Sequence, residues 1–405
     1  MILQIAWRNI WRNKIRSGVV MVAIAVGMFA GLFSTAFYQG MINQRLRDGI
    51  ETEISHIQMH APEFREEQEL DMFMHNALQI ADTIEAIQGI KGVSPRIVLT
   101  GMIASAETGS GVRIAGILPQ KEQQCTNLFT KIIDGEWFNG IKRNPIVIGE
   151  KLANKLKVRV RSKMVITIQN ADGTITSAAF RVSGIFKTIN TGFDESNVFA
   201  MYSDLSKLAE LQQNAAHEIA IRISNSEDVD PLTHKLAAKY SNMEVLTWRE
   251  LSPELGYLND IGSQYMYIFI VIILFALAFG IINTMLMVVL ERVKEIGMLM
   301  AIGMKKGRLF RMLVLETVLL SLAGGIFGIF LGVIATNHFG KTGINLSMYA
   351  TGMEKFGYDT LVFPEIDAFI VVNIALLVVI TGILSALYPA AKALKYNPAD
   401  AIRIE

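Results

Sequence analysis

The chain holds one cysteine, Cys125, six histidines and nine prolines in 405 residues, and the first two scarcities each exclude a class of protein. One thiol cannot close an intramolecular disulfide, so a cystine-stapled scaffold is out; Cys125 reads as a small packed residue rather than a reactive thiol. The histidines offer one suggestive spacing, His56 and His60, but on a strand four residues span about 13 Å, too far for one ion. They read as surface or packed side chains. No segment matches G-x-x-x-x-G-K-[ST], so a phosphate-cradling loop of that kind is missing, and neither a nucleophile elbow nor H-E-x-x-H occurs. An excess of one charge is missing too: 38 basic side chains face 37 acidic ones, which argues against a nucleic-acid partner.

What the chain has in quantity is apolar sequence. Hydrophobic residues make up 51% of it and the mean hydropathy is +0.36, too apolar for a soluble protein and too polar for one wholly inside a membrane. Four runs, 17–42, 265–290, 312–336 and 366–388, reach the roughly 20 residues that cross a bilayer. The first exceeds the roughly 7–15 residues of a signal-peptide core and no small-residue cleavage site follows it, so it reads as a retained span. Arg8, Arg12, Lys14 and Arg16 precede the first run; Arg292, Lys294, Lys305, Lys306, Arg308 and Arg311 separate the second from the third; Lys392, Lys395 and Arg403 follow the fourth. The positive-inside rule makes these three clusters cytoplasmic. Both termini are then inside, and residues 43–264 and 337–365 are outside.

Residues 1–16 place Leu3, Trp7, Ile10 and Trp11 on one helical face and Arg8, Arg12 and Arg16 on another, the pattern of an interfacial helix. Segment 43–264 mixes periods. "ISHIQMH" (54–60) alternates by twos, 77–90 has a helical period closed by Gly89, and 95–105, 112–119 and 217–224 read as strands. Residues 145–158 pass from strand to helix, 164–186 read as a hairpin turning at Asp172-Gly173, and 230–264 read as a polar helix returning to the membrane. The expected fold is four transmembrane helices, one plus three, with a large extracytoplasmic α+β domain between the first and second. Gly324, Gly328 and Gly332 recur every four residues in the third run, as do Gly27 and Gly31 in the first, a spacing that lets helices approach closely. Glu316 is an ionisable residue inside a run, costly there and therefore a tether or a relay; Arg308 and Arg311 are the candidate partners by sequence distance.

The stretch "ERVKEIGMLMAIGMKKGRLFRMLVLE" (291–316) resembles the cytoplasmic loop of the FtsX/MacB-type permease family, patterned E-R-x-x-E-I-G-x-x-x-A-x-G, through Glu291, Arg292, Glu295, Ile296, Gly297, Ala301, Gly303 and Glu316. The tail "YPAAKALKYNPADAIRIE" (388–405) is similar to the family's closing motif through Pro389, Ala390, Ala393, Pro398, Ala401 and Arg403. "IAWRNIWRNKIRS", "IAGILP", "DGEWF", "VIGEKLANKL" and "FRVSGIFKT" follow the family's order. One departure is "KLKVRVRSKMVI" (155–166), where the family usually has a Gly-Asp turn. The resemblance implies an ABC transporter permease of the mechanotransmission type. It implies domains at 1–16 (interfacial helix), 17–42, 265–290, 312–336 and 366–388 (spans), 43–264 (MacB-like periplasmic core), 291–311 (coupling helix loop), 337–365 (periplasmic loop) and 389–405 (cytoplasmic tail), with 265–405 the FtsX-like part.

In the family a separate ATPase docks on the coupling loop, which assigns that role to Glu291, Arg292, Glu295, Ile296, Gly297, Met298, Leu299, Ile302, Gly303, Met304 and Lys305. Met298, Leu299, Ile302 and Met304 are the apolar residues expected to be buried by it. The chain itself would be non-catalytic and carry no cofactor, ATP and Mg belonging to two copies of the partner ATPase. A second permease chain, identical or homologous, would complete the machine in the bacterial inner membrane. The chain's length and the lack of a fused ATPase resemble the lipoprotein-releasing, LolC/LolE-like type, which would hand its cargo to a periplasmic carrier. MacB-like efflux and FtsX-like regulation of a periplasmic enzyme are the alternatives. For a lipid-modified cargo the candidate groove is Tyr38, Met41, Tyr265, Met266 and Phe269 at the outer ends of the first two spans, where aromatics also serve as plain interfacial anchors.

Overall fold

The computed structural model describes residues 2–12, 14–170 and 172–394. Its four longest helices, Lys14–Asp48, Pro253–Glu291, Lys306–Thr342 and Ala368–Ala393, are each long and apolar enough to cross a membrane. They are the first to fourth spans. Even the shortest, with 26 residues, is about 39 Å long at 1.5 Å per residue, more than the roughly 30 Å hydrocarbon core. A short helix, Ile2–Arg12, precedes the first span, and a bridging helix, Val293–Ala301, joins the second to the third. The fourth span runs through a buried Pro389 to Ala393, so the expected tail begins as helix. Its motif residues Pro398, Ala401 and Arg403 lie outside the described residues, as does Lys395. The chain divides into two compact units, one built from the apolar parts of the spans and one from residues 43–259 with 346–360.

In the membrane unit, Val20, Ile24 and Met28 of the first span pack with Ile270, Leu277, Ile281 and Met285 of the second, Leu320 of the third, and Ile374 and Val378 of the fourth. The recurring glycines are a contact stripe. A Cβ at Gly324 would sit 2.6 Å from the Met21 carbonyl oxygen, one at Gly328 2.6 Å from that of Ala25, and one at Gly332 2.8 Å from Leu32, so the third span meets the backbone of the first where only glycine fits. Gly27 and Gly31 face Leu277 and Ile273 of the second span more loosely, at 3.1 and 3.6 Å. In the leading helix Ala6 and Ile10 are buried while Trp7 and Trp11 are half exposed and pack edge to face, their centroids 6.0 Å apart. The expected apolar face is therefore split: its inner edge anchors the helix, and the tryptophans stand out, as an interfacial helix presents them. Ser17 donates a hydrogen bond to the Ile10 carbonyl (2.7 Å) across the junction.

In the other unit, ten strands form one sheet: β1 (Ile57–His60), β2 (Ile90–Ala104), β3 (Gly109–Ile117), β4 (Ile132–Gly135), β5 (Pro145–Gly149), β6 (Lys163–Gln169), β7 (Ile175–Phe186), β8 (Asn197–Met201), β9 (Glu218–Ile223) and β10 (Glu244–Thr247). The order is β10-β1-β9-β2-β3-β8-β5-β7-β4, and β6 pairs with both β2 and β7, closing a six-stranded ring. The ring encloses Ile97, Leu99, Ile114, Ile146, Ile166, Phe180 and Val198. The first half of β2 lies in the β10-β1-β9 part, whose core of Met59, Ile84, Val93, Ile221 and Leu236 is covered by helices Ala77–Glu85 and Val229–Lys239. The long β2 thus belongs to both cores.

The β6-β7 hairpin turns at Gly173, whose φ of +83° suits glycine. Where the sequence departs from the family's Gly-Asp turn, Lys157 and Arg161 take φ of +51° and +74°, so non-glycine residues carry the left-handed turn. The expected polar helix 230–264 is interrupted: β10 intervenes, and a helix starting at Pro253 runs unbroken into the second span. His56 precedes β1 and His60 ends it; both are buried rather than on the surface. His60 bonds Gln58 through Nε2 at 3.1 Å, and burial holds its pKa down at about 4. Among the described residues no group of His, Cys, Asp and Glu is arranged to hold a metal. Cys125 is fully buried beside Ser55 and the Ala220 carbonyl, and burial pushes its pKa up to about 12, so the thiol is inert.

Candidate functional site

The bridging helix ends where glycine lets it. Gly303 has φ +97°; its N–H bonds the Met300 carbonyl (3.1 Å), and the Met304 N–H reaches back to that of Leu299 (3.0 Å). This is a Schellman stop, which normally pairs a side chain in the last turn with one just past the glycine. Leu299 and Met304 occupy those two positions. Both pack, partly buried, on a cluster of Val289, Ile296, Leu309, Met312, Leu313, Ala390 and Ala393, with Gly297 buried beside them. Leu299 and Met304, expected to be buried by the ATPase together with Met298 and Ile302, are already partly buried on the helix's own seat. What remains outside is Met298, 52% exposed, and Ile302, 84% exposed, one helical turn apart among exposed Lys294, Lys305, Lys306 and Arg308.

The seat is locked by charge. Arg292, the N-cap residue, donates from Nε to Glu295 (3.0 Å) and from Nη1 to both oxygens of Glu316 (3.2 Å each). Glu295 also accepts from Arg12 of the leading helix. Those hydrogen bonds, the one from Arg12 foremost, hold the Glu295 carboxyl below its usual range. Glu316 is only 5% exposed and pairs with Arg292 rather than with Arg308 or Arg311. Helical rotation explains the difference: a residue five positions earlier points about 140° away, and one eight earlier is about 12 Å down the axis. Arg311 instead donates to the Gly307 carbonyl (3.3 Å). Sequence reasoning gave Arg12 only an interfacial role, and nothing in its spacing signals Glu295, which is 283 positions away.

Of the groove candidates, Tyr38, Met266 and Phe269 line a cavity of about 350 Å³ between the first and second spans, with Phe33, Phe37 and Ile273. Met41 is half-buried and Tyr265 is 54% exposed; neither lines it. A second cavity of about 350 Å³, reaching Val20 and Thr284, shares Ile273. An apolar seam therefore follows most of the contact between these two helices.

Residues 17–239, more than half of the chain, match the MacB-like periplasmic core domain, and residues 267–398 match the FtsX-like permease C-terminal model. The chain is 23% identical over 332 residues to the lipoprotein-releasing system transmembrane protein LolC of Neisseria meningitidis serogroup B, covering 78% of this chain and 79% of that one. It is 27% identical over 237 residues to the macrolide export ATP-binding/permease protein MacB of Escherichia coli O157:H7, covering 56% of this chain and 34% of that one. The crystal structure of the periplasmic region of MacB from Actinobacillus actinomycetemcomitans aligns over 50% of this chain and 91% of its own at 15% identity, with a TM-score of 0.35. The chain belongs to the FtsX-like, MacB-like family of ABC transporter permeases.

Proposed function

We propose that a separate ATPase docks on Met298 and Ile302, that its motion passes through the bridging helix into the spans, and that the cargo is a lipoprotein released from the inner membrane toward the outer membrane. The observation that carries the docking is a contrast within one short helix. The helix is clamped by an apolar seat and three ion pairs, while Ile302 is 84% exposed in a ring of cations. A large aliphatic fixed in water beside charges is the chemistry of a docking knob. The remaining loop residues, Glu291 through Lys305, set its posture.

In this reading ATP and Mg bind the partner ATPase, present in two copies. A second permease chain, identical or homologous, completes the complex. Both termini and the bridging helix face the cytoplasm, where the exposed lysines agree with the positive-inside rule, and residues 43–264 form a periplasmic core served by a lipoprotein carrier. The cargo half of the proposal draws on the match to LolC along most of both chains and on the apolar seam between the first and second spans, roomy enough for part of an acyl chain. MacB-like efflux is the second reading, favoured by the MacB match.

Burial of a large aliphatic side chain is worth about 1.5–3 kcal/mol. Replacing both Met298 and Ile302 with Asp should therefore cut affinity for the ATPase on the order of a thousandfold and abolish co-purification while the permease stays in the membrane. An intact complex would rule the dock out. Depleting the chain should strand outer-membrane lipoproteins in the inner membrane. Normal sorting with raised drug or peptide sensitivity would replace lipoprotein release with efflux.

A further inference from the structure

The segment between the third and fourth spans carries secondary structure of its own and exposes large apolar side chains. A two-stranded ribbon, Ile344–Asn345 with Leu361–Val362, closes its base, and the Leu346 N–H donates to the Thr360 carbonyl (2.7 Å). Inside it, helix Ala350–Lys355 ends on Gly357, whose φ is +70°. Three contacts then hold the loop. A Cβ at Gly357 would lie 2.7 Å from Arg45 Nε, Gln44 donates to Asp359 (3.2 Å), and Thr191 donates to the Glu354 carbonyl (3.4 Å). Met348 is 88% exposed, Phe356 73% and Tyr349 63%. A loop built this firmly does not hold three large apolar side chains out by default; floppy segments can turn such residues in.

We infer that Met348, Tyr349 and Phe356 are an interfacial anchor that sits in the headgroup layer of the bilayer on the side where this loop emerges. Chain length bounds the height. Leu346 follows Thr342, the last residue of the third span, by four residues, and Thr360 precedes Ala368, the first of the fourth, by eight. The loop therefore starts within about 14 Å of one span end and finishes within about 28 Å of the other. Amphipathic aromatics and methionine at that level match the interfacial zone, where tyrosine and tryptophan belts collect. The occupant is phospholipid, and the inference holds whichever way the chain is oriented and whatever its cargo.

A single cysteine placed at Gly352 reads the position without removing the anchor, because a Cβ there meets nothing and Cys125 is fully buried. The full chain, labelled there with an environment-sensitive dye, goes into vesicles of phosphatidylcholine and phosphatidylglycerol at about three to one. A second label at Ile175, 75% exposed on the β6-β7 hairpin, is the aqueous control. The expected result is strong quenching of the Gly352 label by headgroup-proximal doxyl lipid, weak quenching by iodide, and the reverse at Ile175. Changing Met348, Tyr349 and Phe356 together to Ser should bring the Gly352 label to the control's iodide response. Iodide quenching at Gly352 equal to that of the control overturns the inference. So does shielding from both quenchers, which would mean that protein, such as a second copy of this chain, covers the loop.

Discussion

If the bridging helix is held by charge, breaking the Arg292–Glu316 pair should loosen it locally by a calculable amount. The pair is 12% and 7% exposed at its side chains, and Arg292 Nη1 reaches both carboxylate oxygens at 3.2 Å. Removing one member of a buried pair costs about 3–5 kcal/mol. Here Arg292 keeps Glu295 at 3.0 Å, a partner open to water, so the loss on Glu316→Leu should fall to the 1.5–3 kcal/mol of one charged hydrogen bond. Taking about 2 kcal/mol, the helix's amides should exchange about 30-fold faster with deuterium, since local opening sets the exchange rate. The Ile296 amide, bonded to the Arg292 carbonyl at 2.9 Å, is the reporter. Arg292→Leu removes the same pair and its bond to Glu295 as well, and should cost at least as much. The double variant, in which neither member is left facing the other's replacement, should cost less than the sum by about 1–3 kcal/mol. The assay is hydrogen-exchange mass spectrometry of the peptide spanning Val293–Ala301 in nanodiscs for all four proteins. If the two single effects add within about 0.5 kcal/mol, the residues are uncoupled and the lock is wrong.

Gly328→Ala should destabilise the membrane unit by about 1–3 kcal/mol, because its Cβ would lie 2.6 Å from the Ala25 carbonyl oxygen and 2.7 Å from Met28. Gly280→Ala, whose Cβ meets nothing, should be neutral or slightly stabilising, and equal melting shifts in detergent would refute the contact stripe. Cys125 should resist maleimide at pH 8 in the folded chain and react once denatured, its thiol being held up at about 12; rapid native labelling would contradict that burial. Asp194 is pushed up to about 7 by burial, against donation from Thr188. Unfolded, it ionises near 3.9, so between about pH 4 and 7 the folded state keeps a proton that the unfolded state releases. Its contribution to stability therefore falls as pH rises across that window and is flat above it. The difference in melting temperature between the wild type and Asp194→Asn should change over pH 5–7 and stay constant from 7.5 to 8.5; no pH dependence in that difference would show an ordinary carboxylate.

Local signals carried much of this fold. Apolar length marks the four spans, Asp172-Gly173 marks the hairpin, and small residues at four-residue spacing mark a helix contact. What escaped depends on partners far along the chain. β10 is four residues, Glu244–Thr247, without a strand's alternation; it is a strand because β1 lies beside it, with Ile57 opposite Thr247. The partner of Glu316 escaped for the same reason: Arg311 is nearer in sequence, but rotation about the helix axis takes it away.

The bridging helix shows why even a recognised loop leaves its site half read. Its apolar residues occur on both sides, so period alone cannot separate Leu299, which turns in, from Met298, which turns out. The stop at Gly303 separates them, because its motif commits the side chains at 299 and 304 to each other. Within E-R-x-x-E-I-G-x-x-x-A-x-G most of the specified positions have internal work: Arg292 and Glu295 make ion pairs, Ile296 and Gly297 fill the seat, and Gly303 ends the helix. Met298 and Ile302 fall on positions that the pattern leaves open, and they are the ones facing water. The constant letters set how the helix is held, and the open ones would set what it holds. On that division, exchanging Met298 and Ile302 for the residues of a related permease should redirect which ATPase co-purifies and leave the hydrogen exchange of Ile296 unchanged, whereas altered exchange with unchanged pairing would place specificity in the seat instead.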